Sequence, residues 1–133
     1  MTRTRQAMTL AAVAASALLL AGCASANSAG GTDGEAVDAD ALVGATYASS
    51  EEGEPQLTFA DDGTYTGTDG CNGLQGEYEI TDDEIVLDPG ISTLKACEGV
   101  DTWLRDAKTL QVDGDAMVVF DSSDAEIGTL ALD

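Results

Sequence analysis

Reactive chemistry in this chain has few residue types to draw on. Three cysteines, Cys23, Cys71 and Cys97, stand beside 25 Asp and Glu, five Lys and Arg, and no His. Without imidazole there is no Ser-His or Cys-His nucleophile pair, no imidazole general base and no histidine-bearing zinc site. Neither Cys71 nor Cys97 has another Cys at metal-ligand spacing, and no Gly-rich loop with a Lys offers a phosphate cradle. Paired carboxylates can hydrolyse glycosides, but with 25 acids in 133 residues some pair falls at a workable separation by chance. Asp61-Asp62, Asp82-Asp83-Glu84 and Asp113-Gly114-Asp115 lack the register and closing Glu of a calcium loop, and read as solvated turns. The formal charge of −20 opposes approach to a phosphate backbone, which sets nucleic acid aside as a partner. No catalytic activity, cofactor or metal is expected.

The first cysteine closes a different pattern. Arg3 and Arg5 precede an acid-free apolar run over residues 10–20, the arrangement of a signal peptide and too short for a bilayer core that needs about 20 apolar residues. The run ends in Leu20-Ala21-Gly22-Cys23, which resembles the lipobox of bacterial lipoproteins, in which the Cys is lipidated and becomes the new N-terminus. Two acyl chains on Cys23 give stable anchoring, at about 0.8 kcal/mol per buried methylene. Loss of 1–22 takes both N-terminal Arg and leaves three bases against all 25 acids, a charge of −22. The expected location is extracytoplasmic, on the membrane surface, with the acidity serving solubility.

Residues 24–40 are small, polar or acidic, with Val37 the only sizeable apolar side chain. Such a stretch buries too little to offset its ordering entropy. The expected organisation is a signal peptide over 1–22, a lipidated N-terminus and flexible tether over 23–40, and one folded domain over 41–133. Within that domain, β-like runs fall at 42–49, 56–60, 64–68, 74–80, 84–87, 91–96, 110–113, 116–121 and 126–132. Asp62-Gly63, Asp69-Gly70, Asp82-Asp83, Pro89-Gly90 and Asp113-Gly114 separate them as tight turns. The fold class is mostly β (α+β): a small antiparallel sheet, barrel-like or strongly curved, with one packed helix. That helix is expected over 100–110, where Val100, Trp103, Leu104, Ala107 and Leu110 follow the spacing of one helix face. Trp103 reads as a core plug, the alternative being a surface on which a ligand stacks. Leu57, Phe59, Tyr65, Tyr78, Val118, Phe120, Leu130 and Leu132 are the expected inward residues.

Gly70-Cys71-Asn72-Gly73-Leu74-Gln75-Gly76-Glu77-Tyr78 resembles the G-C-N-x-x-x-G-x-Y signature of the META domain, the HslJ-like heat-shock protein family. Thr93-Leu94-Lys95-Ala96-Cys97 is similar to that family's T-x-M-A-C element, with Lys95 in place of Met. The opening strand has Tyr47 where a Trp is common. The resemblance covers most of 41–133 and implies a mostly antiparallel barrel-like domain with one helix, in envelope proteins linked to heat stress and antibiotic tolerance, with no established enzymatic activity. Read from the residues, Gly70, Gly73 and Gly76 permit turns closed to other residues, Asn72 tolerates the left-handed region, and Tyr78 returns the chain to a strand. These positions shape a corner; a binding loop is the alternative.

With Cys23 lipidated, Cys71 and Cys97 remain as an even pair in an oxidising compartment, and a bridge between them is expected. It would pin the Gly-Cys-Asn corner to the strand end before the helix, and the chain-entropy model gives its 26-residue loop roughly 3.5 kcal/mol. The function expected is a lipid-anchored, non-catalytic interaction module in cell-envelope stress tolerance, partnered by the membrane and an envelope protein. The alternative is a carrier of a small hydrophobic ligand or lipid in a barrel cavity.

Overall fold

The computed structural model describes residues 35–133. The expected signal peptide, Cys23 and most of the tether lie outside the described residues. Eight strands follow in chain order: β1 (Thr46–Ala48), β2 (Gln56–Phe59), β3 (Thr64–Thr68), β4 (Gly73–Ile80), β5 (Ile85–Pro89), β6 (Thr109–Asp113), β7 (Ala116–Phe120) and β8 (Glu126–Leu132). Each pairs antiparallel with the next, and β8 returns to β1 through Tyr47 opposite Leu132 and Ala48 opposite Ala131, so the sheet closes into a barrel. Closure leaves no continuous sheet edge for another chain to extend.

Turn chemistry at the strand ends follows the acids. Asp62 Oδ1 accepts from the Thr64 amide at 3.0 Å and the Thr64 hydroxyl at 2.6 Å, and Asp121 Oδ1 accepts from Ser123 N at 2.8 Å and Ser123 Oγ at 2.7 Å. A short side-chain acceptor thereby replaces the ladder bonds that each hairpin loses where it reverses.

Alternation decides what enters the barrel. Leu57 and Phe59 of β2, Tyr65 of β3, Ile85 and Leu87 of β5, Leu110 of β6, Met117 and Val119 of β7 and Leu130 of β8 are buried. Tyr78 is half-buried and stacks edge-on against Phe59, with ring centroids 5.2 Å apart. Val118 and Phe120, expected inside, lie on the other face of β7, and Leu132 is 45% exposed. β7 is apolar at every position, Ala-Met-Val-Val-Phe, so its own alternation carries no phase; a one-residue shift turns every side chain to the opposite face.

Three expected elements take another form. The helix over 100–110 is reduced to a single 3₁₀ turn, Trp103–Asp106. Its helical spacing comes from two elements: Leu104 and Ala107 plug one barrel end, while Leu110 already belongs to β6. The expected strand over 42–49 shortens to β1, preceded by one helical turn, α1 (Ala39–Leu42), capped by Asp38, whose Oδ1 accepts from Asp40 N at 3.0 Å. Leu42 is buried and closes the other barrel end. The expected strand over 91–96 forms no ladder: β5 pairs with β6 at Ile85 and Val86, Leu87 N–H donates to the Lys108 carbonyl at 2.8 Å, and the chain then runs past β6.

The described chain enters beside the end closed by Leu42. Glu35 donates its N–H to the Val112 carbonyl at 3.1 Å and accepts from Gly114 N at 2.8 Å. Val37 packs on the core, so residues 35–40 lie along the barrel.

Candidate functional site

β3 must reverse within residues 69–72 to enter β4, and the reversal is built from side chains. Asp69 Oδ1 accepts from Cys71 N at 2.8 Å and Asn72 N at 2.5 Å, and Thr68 Oγ1 accepts from Gly70 N at 3.0 Å. The Asp69 N–H closes the turn on the Asn72 carbonyl at 3.1 Å. Gly70 sits at φ +93°, and a Cβ there would stand 2.9 Å from Val100 Cγ1 and 3.1 Å from Gly53 Cα, so both conformation and space require glycine.

Asn72 then ties this corner to the distant 91–97 segment. Its Nδ2 donates to Asp69 Oδ2 and to the Lys95 carbonyl, both at 3.2 Å, while its Oδ1 accepts from Lys95 N at 2.6 Å and Thr93 Oγ1 at 3.1 Å. The amide thus satisfies four partners, and it is 2% exposed. One side chain supplies the main-chain partners that a neighbouring strand would have offered. A disulfide joins Cys71 to Cys97 beside it. Only the backbone of Lys95 is engaged here, which explains how Lys stands where the family pattern has Met.

The structure brings Gly70, Cys71, Asn72, Thr93 and Cys97 together at one rim; Ala96 adjoins them and is exposed. Gly76 and Tyr78 lie elsewhere, in the barrel wall. Gly76 is in mid-strand without a positive φ, and its hydrogen faces the Asp88 carbonyl and Tyr65 Cε1, where a Cβ would collide. The Tyr78 hydroxyl donates to the Ala60 carbonyl at 2.7 Å, towards the opposite end. Three corner roles expected from residue type are corrected: Asn72 is not left-handed, Gly73 is neither left-handed nor crowded, and Gly76 shapes no turn but sits in mid-strand. Asn72 works through its amide. Asp69, read only as half of a turn dipeptide, is 0% exposed and organises the turn; its position before a Gly-Cys-Asn corner was the available signal.

Trp103 is a plug. Its ring lies over Gly128, where a Cβ would meet Cη2 at 2.5 Å, and its Nε1 donates to Glu51 Oε2 at 2.7 Å. A pocket of about 20 Å³ lies among Leu57, Tyr65, Leu87, Leu104 and Ala107 and opens past Gln75, Gly90 and Arg105, on the scale of one water. A larger groove of about 390 Å³ runs outside the wall between Asp62, Glu77, Glu79, Asp88 and Lys108. The Lys108 ammonium there donates to the Leu87 carbonyl at 2.7 Å.

Electrostatics follow burial and turn bonds. Burial, with Asp62 and Asp61 nearby, raises the Tyr78 phenol above its ordinary 10.0; burial and Asp88 raise Tyr65; burial and Asp115 raise Tyr47. The Thr64 hydroxyl and amide hold Asp62 below its ordinary 3.8, and the Ser123 hydroxyl and amide, with the Ala125 amide, do the same for Asp121. Among the described residues no group of three or more His, Cys, Asp or Glu is placed to hold a metal ion.

Filled interior, plugged ends and a side-chain-built rim define a small closed antiparallel β-barrel module with one disulfide-stapled corner. The META domain family model matches residues 31–131, and the chain belongs to that family. No curated protein matches it.

Proposed function

We propose that this chain is a lipid-anchored, extracytoplasmic META-domain module that acts by binding, not catalysis, in cell-envelope stress tolerance, and that the 91–97 rim is its contact surface. One observation carries the reading: Ile91 and Leu94 are 88% and 80% exposed on a loop whose backbone is tied down by Asn72 and by the Cys71–Cys97 bridge. A backbone already tied at Thr93, Lys95 and Cys97 lowers the ordering cost of a contact that buries the two aliphatic side chains. The polar groups of the corner are consumed by internal bonds, which favours binding over acid-base chemistry.

Placement supports the same reading. Residues 91–97 follow β5 at one end of the barrel, and Glu35 is bonded at the other. The rim is thus at the barrel end opposite the one where the described chain begins. The buried side chains that fill the barrel, Leu57, Phe59, Tyr65, Leu87, Met117 and Leu130 among them, favour an external surface over the carrier alternative.

The test replaces Ile91 and Leu94 together by Ser in the full chain and measures survival of the producing cells under envelope stress. The expected result is unchanged thermal stability with loss of protection. Full protection by the folded double variant overturns the rim reading. A small-molecule adduct in native mass spectrometry of the membrane-released protein, lost on denaturation, overturns it in favour of a carrier.

A further inference from the structure

Asn72 is followed by Gly73, and nothing in the fold calls for glycine there. Gly73 is exposed, its φ is not positive, and a Cβ on it would meet no atom within 4 Å. A glycine in a strand lowers stability relative to residues with a side chain. What it does change is the reactivity of the preceding residue: with no side chain to shield it, the Gly73 nitrogen can reach the side-chain amide carbon of Asn72. We infer that Asn72-Gly73 is a spontaneous deamidation site held shut by the closed rim, and that its conversion irreversibly frees Thr93 and Lys95, leaving the 91–97 loop held by the Cys71–Cys97 bridge alone. This holds whatever the rim binds.

The reaction needs only water. The Gly73 nitrogen bonds to Asn72 Cγ, the Cγ–Nδ2 bond breaks, and the amide proton of Gly73 leaves with Nδ2 as ammonia. Water then opens the cyclic imide at either carbonyl, leaving an aspartate or an isoaspartate and no net redox change. In the closed rim, Nδ2 and Oδ1 are each held by two partners and the side chain is 2% exposed, so the amide cannot turn towards Gly73 N and water cannot reach it. Local opening of the rim removes that restraint.

The product cannot reclose the same rim. An oxygen in place of Nδ2 has no hydrogen for Asp69 Oδ2 or for the Lys95 carbonyl, and it sets a second carboxylate at the 3.2 Å now spanned by a hydrogen bond to buried Asp69. An isoaspartate also adds a methylene to the main chain immediately before β4.

The full chain in detergent, with its disulfide intact, is incubated in mildly alkaline heavy-oxygen water beside the same chain reduced and unfolded in urea. The peptide spanning Asn72 is then followed by mass spectrometry. The folded chain is expected to convert slower by roughly ten-fold or more, and Gly73→Ala to slow the unfolded chain while leaving the fold intact. Equal rates in folded and unfolded chains, or no slowing by Gly73→Ala, overturn the proposal. Asn72→Asp is expected to speed tryptic cleavage after Lys95 by roughly ten-fold or more, since that backbone is no longer pinned; wild-type resistance in the folded variant overturns it. Should Asn72→Asp fail to fold, a partly deamidated, refolded wild-type sample gives the same readout: faster cutting of its deamidated chains supports the proposal and equal cutting overturns it.

Discussion

Asn72→Ala deletes four hydrogen bonds at once, and their worth follows from where the stranded partners lie. Thr93 and Lys95 are exposed, so their freed groups regain water at little cost. Asp69 is fully buried; it keeps two backbone N–H donors and loses the third contact, from Nδ2. Taking about 1 kcal/mol for each neutral bond, more for the bond to the carboxylate, and discounting the solvated partners gives about 2–4 kcal/mol. For a domain of this size that lowers Tm by roughly 10–20 °C. Thermal and urea unfolding of the oxidised protein measure it. The controls decide the reasoning: Thr93→Ala removes one exposed bond, about 0.5–1 kcal/mol, and Lys95→Met, which leaves the engaged backbone in place, stays within about 0.5 kcal/mol of wild type. A cost for Lys95→Met equal to that of Asn72→Ala, or an Asn72→Ala protein as stable as wild type, refutes the claim that the Asn72 side chain holds the rim.

Replacing both Cys71 and Cys97 by Ala is expected to cost roughly 3.5 kcal/mol, the loop-closure entropy of the 26-residue separation, read in urea midpoints; an unchanged midpoint counts against it. Gly76→Ala drives a Cβ into the Asp88 carbonyl and the Tyr65 ring and is expected to cost about 1–3 kcal/mol or more, in contrast with Gly73→Ala, whose Cβ meets open space. Gly128→Ala displaces the Trp103 ring, so its fluorescence should shift to the red while the barrel persists; an unmoved spectrum contradicts the packing seen here. In pH titrations of stability, Asp62 and Asp121 titrate lower in the fold than unfolded, so their contribution is present above 3.8 and is lost as pH falls through their depressed values. Tyr47, Tyr65 and Tyr78 titrate higher in the fold, so their contribution is complete below 10.0 and is lost as pH rises beyond it. Fluorescence-detected unfolding midpoints across both limbs check the two signs.

Local rules were enough for much of the barrel. Asp62-Gly63 and Asp113-Gly114 mark turns because each carries a glycine at positive φ, and at Asp62 the side chain also accepts from Thr64. Leu57, Phe59 and Tyr65 are legible as inward because polar neighbours alternate with them along their strands. The expected Cys71–Cys97 bridge, reasoned from a lipidated Cys23 and an oxidising compartment, is present. The 3₁₀ turn was not legible, since apolar spacing across Val100 to Leu110 is the same whether one helix face or a plug and a strand generate it.

What the chain order alone determined is therefore the strand-and-turn grammar, the family and the disulfide. Only the tertiary structure decided the phase of β7, the unpaired run of 91–97 and the work of Asn72. The physical reason is range. Alternation and turn propensity act between residues a few positions apart, whereas Asn72 finds Thr93 and Lys95 across 21 and 23 residues. It does so only after β5 has outrun its partner and left two backbone groups of Lys95 in need of one.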